Sequence, residues 1–216
     1  MNILIMGPAG SGKGTAAKKI VEEFLVAHIS TGDMLRENVK ENTELGQQAK
    51  DYMEAGRLVP DDLINAMVKE RLLRDDVKEG FLMDGFPRTL VQAKAFDEIT
   101  KSIEKPVEIV INLKVDVDTL AGRITGRRIC KNCGAIYHIK NAPSKVEGIC
   151  DVCGNPTIQR PDDTLEQLQV RLSEHAKNTE PVLDYYREKG LVKDIEAAKS
   201  ADEVWLDIKQ AIDTVK

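Results

Sequence analysis

Short apolar runs alternate along the chain with longer stretches in which apolar residues recur every three or four positions. Residues 3–6 form an unbroken apolar run that ends at Gly7, a pattern typical of a strand buried on both faces. The stretch 14–24 follows with apolar residues at helical spacing. Further strands are predicted at 80–84, 107–113 and 191–195. Further helices are predicted at 43–55, 60–73, 116–125 and 201–215, and three more helices are predicted to begin at residues 30, 89 and 164. This alternation predicts an α/β fold, a three-layer sandwich with a parallel sheet.

Residues 126–163 interrupt the alternation. They contain all four cysteines, several glycines and prolines, and little helical periodicity. We therefore expect a cysteine-bearing insertion in an otherwise continuous core.

The composition narrows the classes of function. Apolar residues make up 42% of the 216 residues and charged residues 31%, as in ordinary folded domains. The formal net charge of −5 does not favour nucleic acid as a partner, so any anion site has to be built locally. No basic leader precedes the apolar run at the N-terminus, and no apolar segment is long enough to span a membrane. We expect a cytoplasmic protein with no membrane partner.

The segment 7–15, GPAGSGKGT, lies between the first predicted strand and the first predicted helix. Glycines let successive backbone N–H groups turn towards one anion, the helix N-terminus adds partial positive charge, and Lys13 reaches the outer phosphates. The alternative is a glycine-rich turn without a ligand, but the strand and the helix on either side favour a phosphate-binding loop, or P-loop. Its predicted phosphate-binding residues are Gly10, Ser11, Gly12, Lys13, Gly14 and Thr15.

The four cysteines form two Cys-x-x-Cys pairs, Cys130 with Cys133 and Cys150 with Cys153, separated by 16 residues. Two such pairs can present four thiolates tetrahedrally, which is the arrangement of a structural zinc site with no open coordination position. Disulfides are the alternative, and the expected cytoplasmic location disfavours them.

Several stretches resemble the nucleoside monophosphate kinase family, and within it the long-form adenylate kinases. Beyond the GKGT of the P-loop, these stretches are TGDMLR at 31–36, GRLVPD at 56–61 and DGFPR at 84–88 with Gln92 one helical turn later. The resemblance continues at Arg123, 126–128, 137–138, 160–163 and Arg171. It therefore covers nearly the whole chain.

The resemblance implies an enzyme, a monomeric phosphotransferase that moves a phosphoryl group reversibly from MgATP to AMP and gives two ADP. It divides the chain into a core of residues 1–29, 60–125 and 164–216, a monophosphate-binding arm at 30–59 and a zinc-bearing lid at 126–163. The cofactors it implies are Mg²⁺, which accompanies ATP, and a structural Zn²⁺.

The resemblance also implies roles for individual residues. Catalytic roles fall on Lys13, Arg88, Arg123, Arg160 and Arg171. Besides the P-loop, ATP would contact Arg123, Arg127, Ile136, Tyr137 and Lys199. AMP would contact Thr31, Arg36, Arg57, Leu58, Val59, Gly85, Phe86, Pro87, Arg88, Gln92, Arg160 and Arg171. Asp84 would orient Mg²⁺ through a metal-bound water, because Mg²⁺ keeps much of its hydration.

The chemistry explains why arginines would dominate such a site. The acceptor of the reaction is itself a phosphate, mostly a dianion at neutral pH, so it is already a nucleophile and requires no general base. The site has to neutralise charge, align the reacting groups and exclude water. Planar, bidentate arginine suits this task better than lysine.

Two other functions remain open at this point. One is a kinase for UMP, CMP or GMP, which Gln92 and the zinc-type lid disfavour. The other is a zinc-ribbon module that binds nucleic acid or another partner, which the acidic net charge disfavours. The chain also departs from the usual family pattern at Ala9, Ala16 and the stretch 196–199, which leaves the selectivity for the phosphate donor open.

Overall fold

The structure, a computed structural model, describes residues 1–215. Within them lie eight strands: β1 (Asn2–Met6), β2 (Ala27–Ser30), β3 (Phe81–Asp84), β4 (Ile109–Lys114), β5 (Arg127–Cys130), β6 (Ile136–His138), β7 (Thr157–Ile158) and β8 (Val192–Glu196). Five of these strands form a parallel sheet in the order β2-β3-β1-β4-β8. The predicted α/β class with a parallel sheet is confirmed.

Nine α-helices accompany these strands within the described residues. They are α1 (Lys13–Phe24), α2 (Thr31–Lys40), α3 (Glu44–Glu54), α4 (Asp61–Leu72), α5 (Leu90–Ser102), α6 (Val117–Gly126), α7 (Leu165–Glu174), α8 (Glu180–Arg187) and α9 (Ala201–Asp213). A 3₁₀ turn spans Asp75–Val77, and a π-helical segment, His175–Thr179, joins α7 to α8. No helix in residues 1–215 has both the length and the apolar composition that a membrane span requires.

The central strand β1 shows how alternate side chains supply two cores. Leu4 and Met6 belong to one buried cluster, which also contains residues from α2, α3, α4, α5 and α8. Ile3 and Ile5 belong to a second buried cluster, which also contains residues from α1 and α9. Since every residue of β1 is buried, the strand lies in the middle layer of three.

Side-chain caps fix where several helices begin. In each case a side-chain oxygen accepts a hydrogen bond from the backbone N–H three residues later, which satisfies a donor that the helix itself leaves free. The capping residues are Thr43, Thr89, Asp116, Thr164 and Ser200. These caps agree with the predicted helix starts to within about one residue.

Two segments of the chain each hold elements that contact one another. Residues 30–59 hold α2 and α3, which pack against each other. Residues 126–163 hold a small antiparallel sheet in the order β6-β5-β7. Their roles as arm and lid stay predictions.

The sequence patterns missed four strands. The edge strand β2 has only four residues, and two of them, His28 and Ser30, are polar. The strands β5, β6 and β7 are two to four residues long. Runs this short carry too little periodicity to be separated from loops.

Candidate functional site

The loop between β1 and α1 wraps around the side chain of Lys13. Gly7, Gly10 and Gly12 have φ angles of 137°, 84° and 100°, a region that favours glycine. A Cβ on Gly7 would also lie 2.7 Å from the carbonyl oxygen of Leu113. No side chain of the described residues caps the first turn of α1, so its N-terminus faces the cleft with its partial positive charge. The loop therefore has the geometry of an anion cradle.

Lys13 is the first residue of α1 and folds back over the loop. Its Nζ donates hydrogen bonds to the carbonyl oxygens of Gly7, at 2.8 Å, and Pro8, at 3.0 Å. Burial lowers the pKa of Lys13 to about 8, and the nearby Asp84 carboxylate opposes that shift. A phosphate in the cradle would supply the negative charge that this ammonium lacks.

Asp84 ends β3 at the same edge of the sheet. The residue pairs in register with Ile5 of β1, which brings its carboxylate next to the P-loop. The Nε2 atom of His28, on the neighbouring strand β2, lies 3.8 Å from an Asp84 carboxylate oxygen. A carboxylate beside a phosphate cradle provides the oxygen ligand type that Mg²⁺ prefers, directly or through water.

The segment after β3 and the start of α2 form a second wall of the cleft. The hydroxyl of Thr31 donates to the carbonyl oxygen of Gly85 at 2.9 Å, and Nε of Arg88 donates to the same oxygen at 2.7 Å. Arg36 forms an ion pair with Asp33 at 2.5 Å, one helical turn earlier. Burial lowers the pKa of Arg88, with further lowering by other arginines in the cleft.

Gln92 lines the same cleft and is 2% exposed. Its Oε1 accepts a hydrogen bond from the backbone N–H of Arg88 at 2.7 Å, and its Nε2 donates to Asp61 at 2.8 Å. An amide side chain can make four hydrogen bonds, so one N–H and one oxygen lone pair are left for a ligand.

Arginines from the opposite side of the cleft are held by protein oxygens. Arg123 donates to the carbonyl oxygen of Ala197 at 2.8 Å, and Arg127 and Arg171 form ion pairs with Asp163 and Asp162 respectively. These contacts hold planar donors in the lining of the cleft.

Arg160 lies between the two sides of the cleft. One of its terminal nitrogens is 4.0 Å from Asp33, and its Nε is buried without a hydrogen-bond partner among the described residues. Burial, together with the charges of Arg36 and Arg127, lowers the pKa of Arg160 to about 10. The Nε–H of Arg160 therefore has no acceptor within residues 1–215, and the negative charge near this guanidinium does not offset the positive charges around it.

One cleft brings together every residue predicted to bind nucleotide or Mg²⁺. Its lining includes the P-loop, the predicted AMP residues, Asp84 and the predicted ATP residues Arg123, Arg127, Ile136, Tyr137 and Lys199. These residues therefore share one continuous cleft.

His175 lines the same cleft, and the sequence patterns gave it no role. It begins the π-helical segment, and its Nε2 is buried with no hydrogen-bond partner among the described residues. Burial, assisted by the charges of Lys13 and Arg88, lowers the pKa of His175 to about 4. The ring is therefore neutral at pH 7. Nothing in the local sequence signals this position, since it depends on the packing of α7 and α8.

The four cysteines come together within residues 126–163. Cys130 Sγ lies 3.4 Å from Cys153 Sγ, Cys133 Sγ lies 3.5 Å from Cys150 Sγ, and all four sulfurs lie within 4.8 Å of one another. Tetrahedral zinc with bonds of about 2.3 Å would hold its sulfurs about 3.8 Å apart. The four thiols are free, so the disulfide alternative is not supported.

The two cysteine pairs have matching backbones. The N–H of Gly134 donates to the carbonyl oxygen of Cys130 at 3.0 Å, and the N–H of Gly154 donates to that of Cys150 at 2.9 Å. Both glycines have positive φ, 73° and 71°. These paired tight turns aim each pair of thiols at one point, which fits a four-thiolate metal site.

Comparisons with known proteins agree with this geometry. The family model described as "Adenylate kinase" matches residues 5–191. A protein of Archaeoglobus fulgidus is 47% identical over 216 residues, covering 100% of both chains. One of Carboxydothermus hydrogenoformans is 50% identical over 212 residues, 98% of this chain and 99% of the relative. A protein of Caldanaerobacter subterraneus is 49% identical over 212 residues, which cover 98% of this chain and 96% of the relative. Each of these relatives is named adenylate kinase.

Proposed function

The chain belongs to the adenylate kinase family and transfers a phosphoryl group from MgATP to AMP, giving two ADP, and we propose that the residues of the cleft perform this transfer. The observation that carries the proposal is the convergence of Lys13 and the predicted arginines on one cleft. ATP and AMP are both polyanions, and the reaction brings them together. A site that holds several cations short of negative charge suits that pair of substrates.

The acceptor phosphate attacks without help from a protein base. An AMP phosphate is mostly a dianion at neutral pH, since its second pKa is about 6. Lys13 and His175 face the cleft with lowered pKa values, and neither is required as a base in this scheme. Catalysis then consists of alignment, charge stabilisation and exclusion of water.

The arginines divide between the two substrates in this proposal. Arg36 and Arg88 hold the AMP phosphate, Arg123 and Arg127 hold ATP, and Arg160 and Arg171 contact the group in transfer. Phosphate oxygens would replace the carboxylates of Asp33, Asp162 and Asp163, with which four of these side chains now pair: Arg36, Arg127, Arg160 and Arg171. Because the guanidinium planes are already held near the cleft, their ordering costs less on binding.

Lys13 follows the charge that develops on the transferring group. Its ammonium would exchange the carbonyl oxygens of Gly7 and Pro8 for phosphate oxygens. Burial lowers the pKa of Lys13, and a neighbouring polyanion would raise it again, so the lysine would be fully charged during the reaction.

Two metals have different roles in the proposal. Mg²⁺ bound to ATP supplies positive charge on the phosphates, and Asp84 is the residue that would hold it, through water. Zinc would be bound by Cys130, Cys133, Cys150 and Cys153 and would hold the lid together, with no coordination position left for a substrate.

Residues 30–59 form the AMP-binding arm and residues 126–163 form the lid in this account, and the rest of the chain is the core. The monomeric state and the cytoplasmic location stay predictions.

An acceptor assay tests the proposed function. Initial rates of ADP formation are measured with MgATP and each of AMP, CMP, UMP and GMP. We expect AMP to be the strongly preferred acceptor. Equal use of UMP or GMP would contradict the assignment of the base site, and no transfer to AMP would contradict the proposed function itself.

A further inference from the structure

The hydrogen bonds of Gln92 fix which way its amide group points. A backbone N–H can only donate, so the atom facing Arg88 must be the oxygen, and a carboxylate can only accept, so the atom facing Asp61 must be the NH₂ group. Because the Arg88 N–H can only donate and Asp61 can only accept, one orientation of the amide alone satisfies both hydrogen bonds. Rotation by half a turn would set oxygen against carboxylate and NH₂ against N–H.

Asp61 is itself held in place. Its carboxylate oxygens lie 3.2 and 3.1 Å from the hydroxyl of Thr89, and that hydroxyl accepts from the backbone N–H of Gln92 at 3.1 Å. The Thr89 proton is therefore directed at Asp61. Asp61 is the first residue of α4 and Thr89 caps α5, so the two helix starts fix this network.

The free capacity of the Gln92 amide matches one purine edge. Adenine presents a donor, its 6-amino group, beside an acceptor, N1. Hypoxanthine and guanine present an acceptor, O6, beside a donor, N1–H. An amide with one free lone pair and one free N–H can pair with either edge, but only by exchanging the places of its oxygen and nitrogen.

We propose that Asp61 is a positioning residue that sets the selectivity for adenine over 6-oxopurines by preventing rotation of the Gln92 amide. This inference rests on the proposed function, in which Gln92 faces the base of AMP. Asp61 does not line the cleft, so its effect would pass through Gln92 and the neighbouring Thr89. Without the acceptor-only Asp61, the turned amide would conflict only with the backbone N–H of Arg88 instead of with both neighbours, so inosine monophosphate (IMP) would be rejected less strongly.

The test compares kcat/KM for AMP and IMP. IMP is the suitable probe because its base has the reversed edge but lacks the extra 2-amino group of guanine. We expect the wild-type protein to prefer AMP by at least about a hundredfold. In Asp61→Asn the ratio should fall by at least about tenfold, mainly through a lower KM for IMP, because the side-chain amide of asparagine can either donate or accept.

Asp62→Asn is the matched control. Asp62 is the next residue in the first turn of α4 and is exposed, so the variant removes the same charge at the same helix end without touching Gln92. Its AMP-to-IMP ratio should equal that of the wild type. Asp61→Ser, whose hydroxyl also donates or accepts, is a second variant in case Asp61→Asn does not fold.

The outcomes separate the possible errors. A folded Asp61 variant with an unchanged AMP-to-IMP ratio would overturn the proposal, as would an equal fall of kcat/KM for both substrates, which a purely structural role predicts. An unchanged ratio in Gln92→Ala would show that Gln92 does not read the base and would remove the basis of the inference. Failure of the wild type to phosphorylate AMP would refute the proposed function instead.

Discussion

Removal of zinc should unfold residues 127–158 while leaving the core folded. Of the residues from 127 to 160, all of which the structure describes, Cys130 and Cys150 alone are buried. The β5–β7 sheet therefore has no apolar core of its own. A metal bound by four thiolates would replace that core, as it does in small zinc-binding domains.

The size of the effect follows from this comparison. Zinc binding to small peptides has apparent free energies of about 10–16 kcal/mol, part of which offsets the entropy of ordering the chain. We expect zinc removal to lower the free energy of opening the lid by about 5 kcal/mol or more. Amide exchange in the lid would then accelerate by at least about a thousandfold. The side chains of the five-stranded sheet belong to two other buried clusters, so the amides of this sheet should stay protected from exchange.

Hydrogen exchange followed by mass spectrometry measures this directly. Metal content and exchange are determined for residues 127–158 and for β4, before and after chelation. Cys130→Ser should imitate chelation, because a hydroxyl is a poor zinc ligand, whereas Asn132→Ser in the same exposed turn should have no effect. Unchanged protection of the lid after complete loss of metal would refute the structural role. Loss of all activity with an intact lid would indicate a catalytic metal.

Two further predictions concern closure and Lys13. Adenylate kinase lids are known examples of closure over bound substrates. A two-headed ATP–AMP analogue should therefore shorten the distance between a label on residues 30–59 and a label on residues 126–163. An unchanged distance would count against closure. The pKa of Lys13 is lowered from 10.5 to about 8 in the folded protein. Between these pH values the unfolded chain binds more protons than the folded chain does. The contribution of Lys13 to the free energy of unfolding therefore rises with pH over this range. In urea unfolding without added nucleotide, Lys13→Met should therefore stabilise the protein by up to about 3 kcal/mol at pH 7, and by less at pH 9.5. A gain in stability that is independent of pH would be inconsistent with this reasoning.

The core of the fold was predictable because its elements are long or wholly buried. The strand β1 is apolar at nearly every position, and helices such as α3 and α5 begin at capping residues that the sequence displays. Those signals are local. The edge strand β2 and the lid strands are short, and their pairing depends on partners distant in sequence.

The candidate site was predictable where it follows a motif. The P-loop and the cysteine pairs have local spacing that specifies their geometry, and the structure brings both sets together. The surroundings of His175 and the contact between Asp61 and Gln92 were not predictable, because they join residues through the packing of separate helices. No spacing within one segment encodes such contacts.

The turnover of Lys13→Ala at saturating MgATP and AMP tests the central claim most directly. Lys18→Ala is the control, since Lys18 lies on the same helix but is 74% exposed and pairs with Glu22. We expect kcat to fall by at least about a hundredfold in Lys13→Ala, with the fold intact, and to stay near the wild-type value in Lys18→Ala. A near-normal kcat in Lys13→Ala would contradict the assignment of this cleft as the site of phosphoryl transfer.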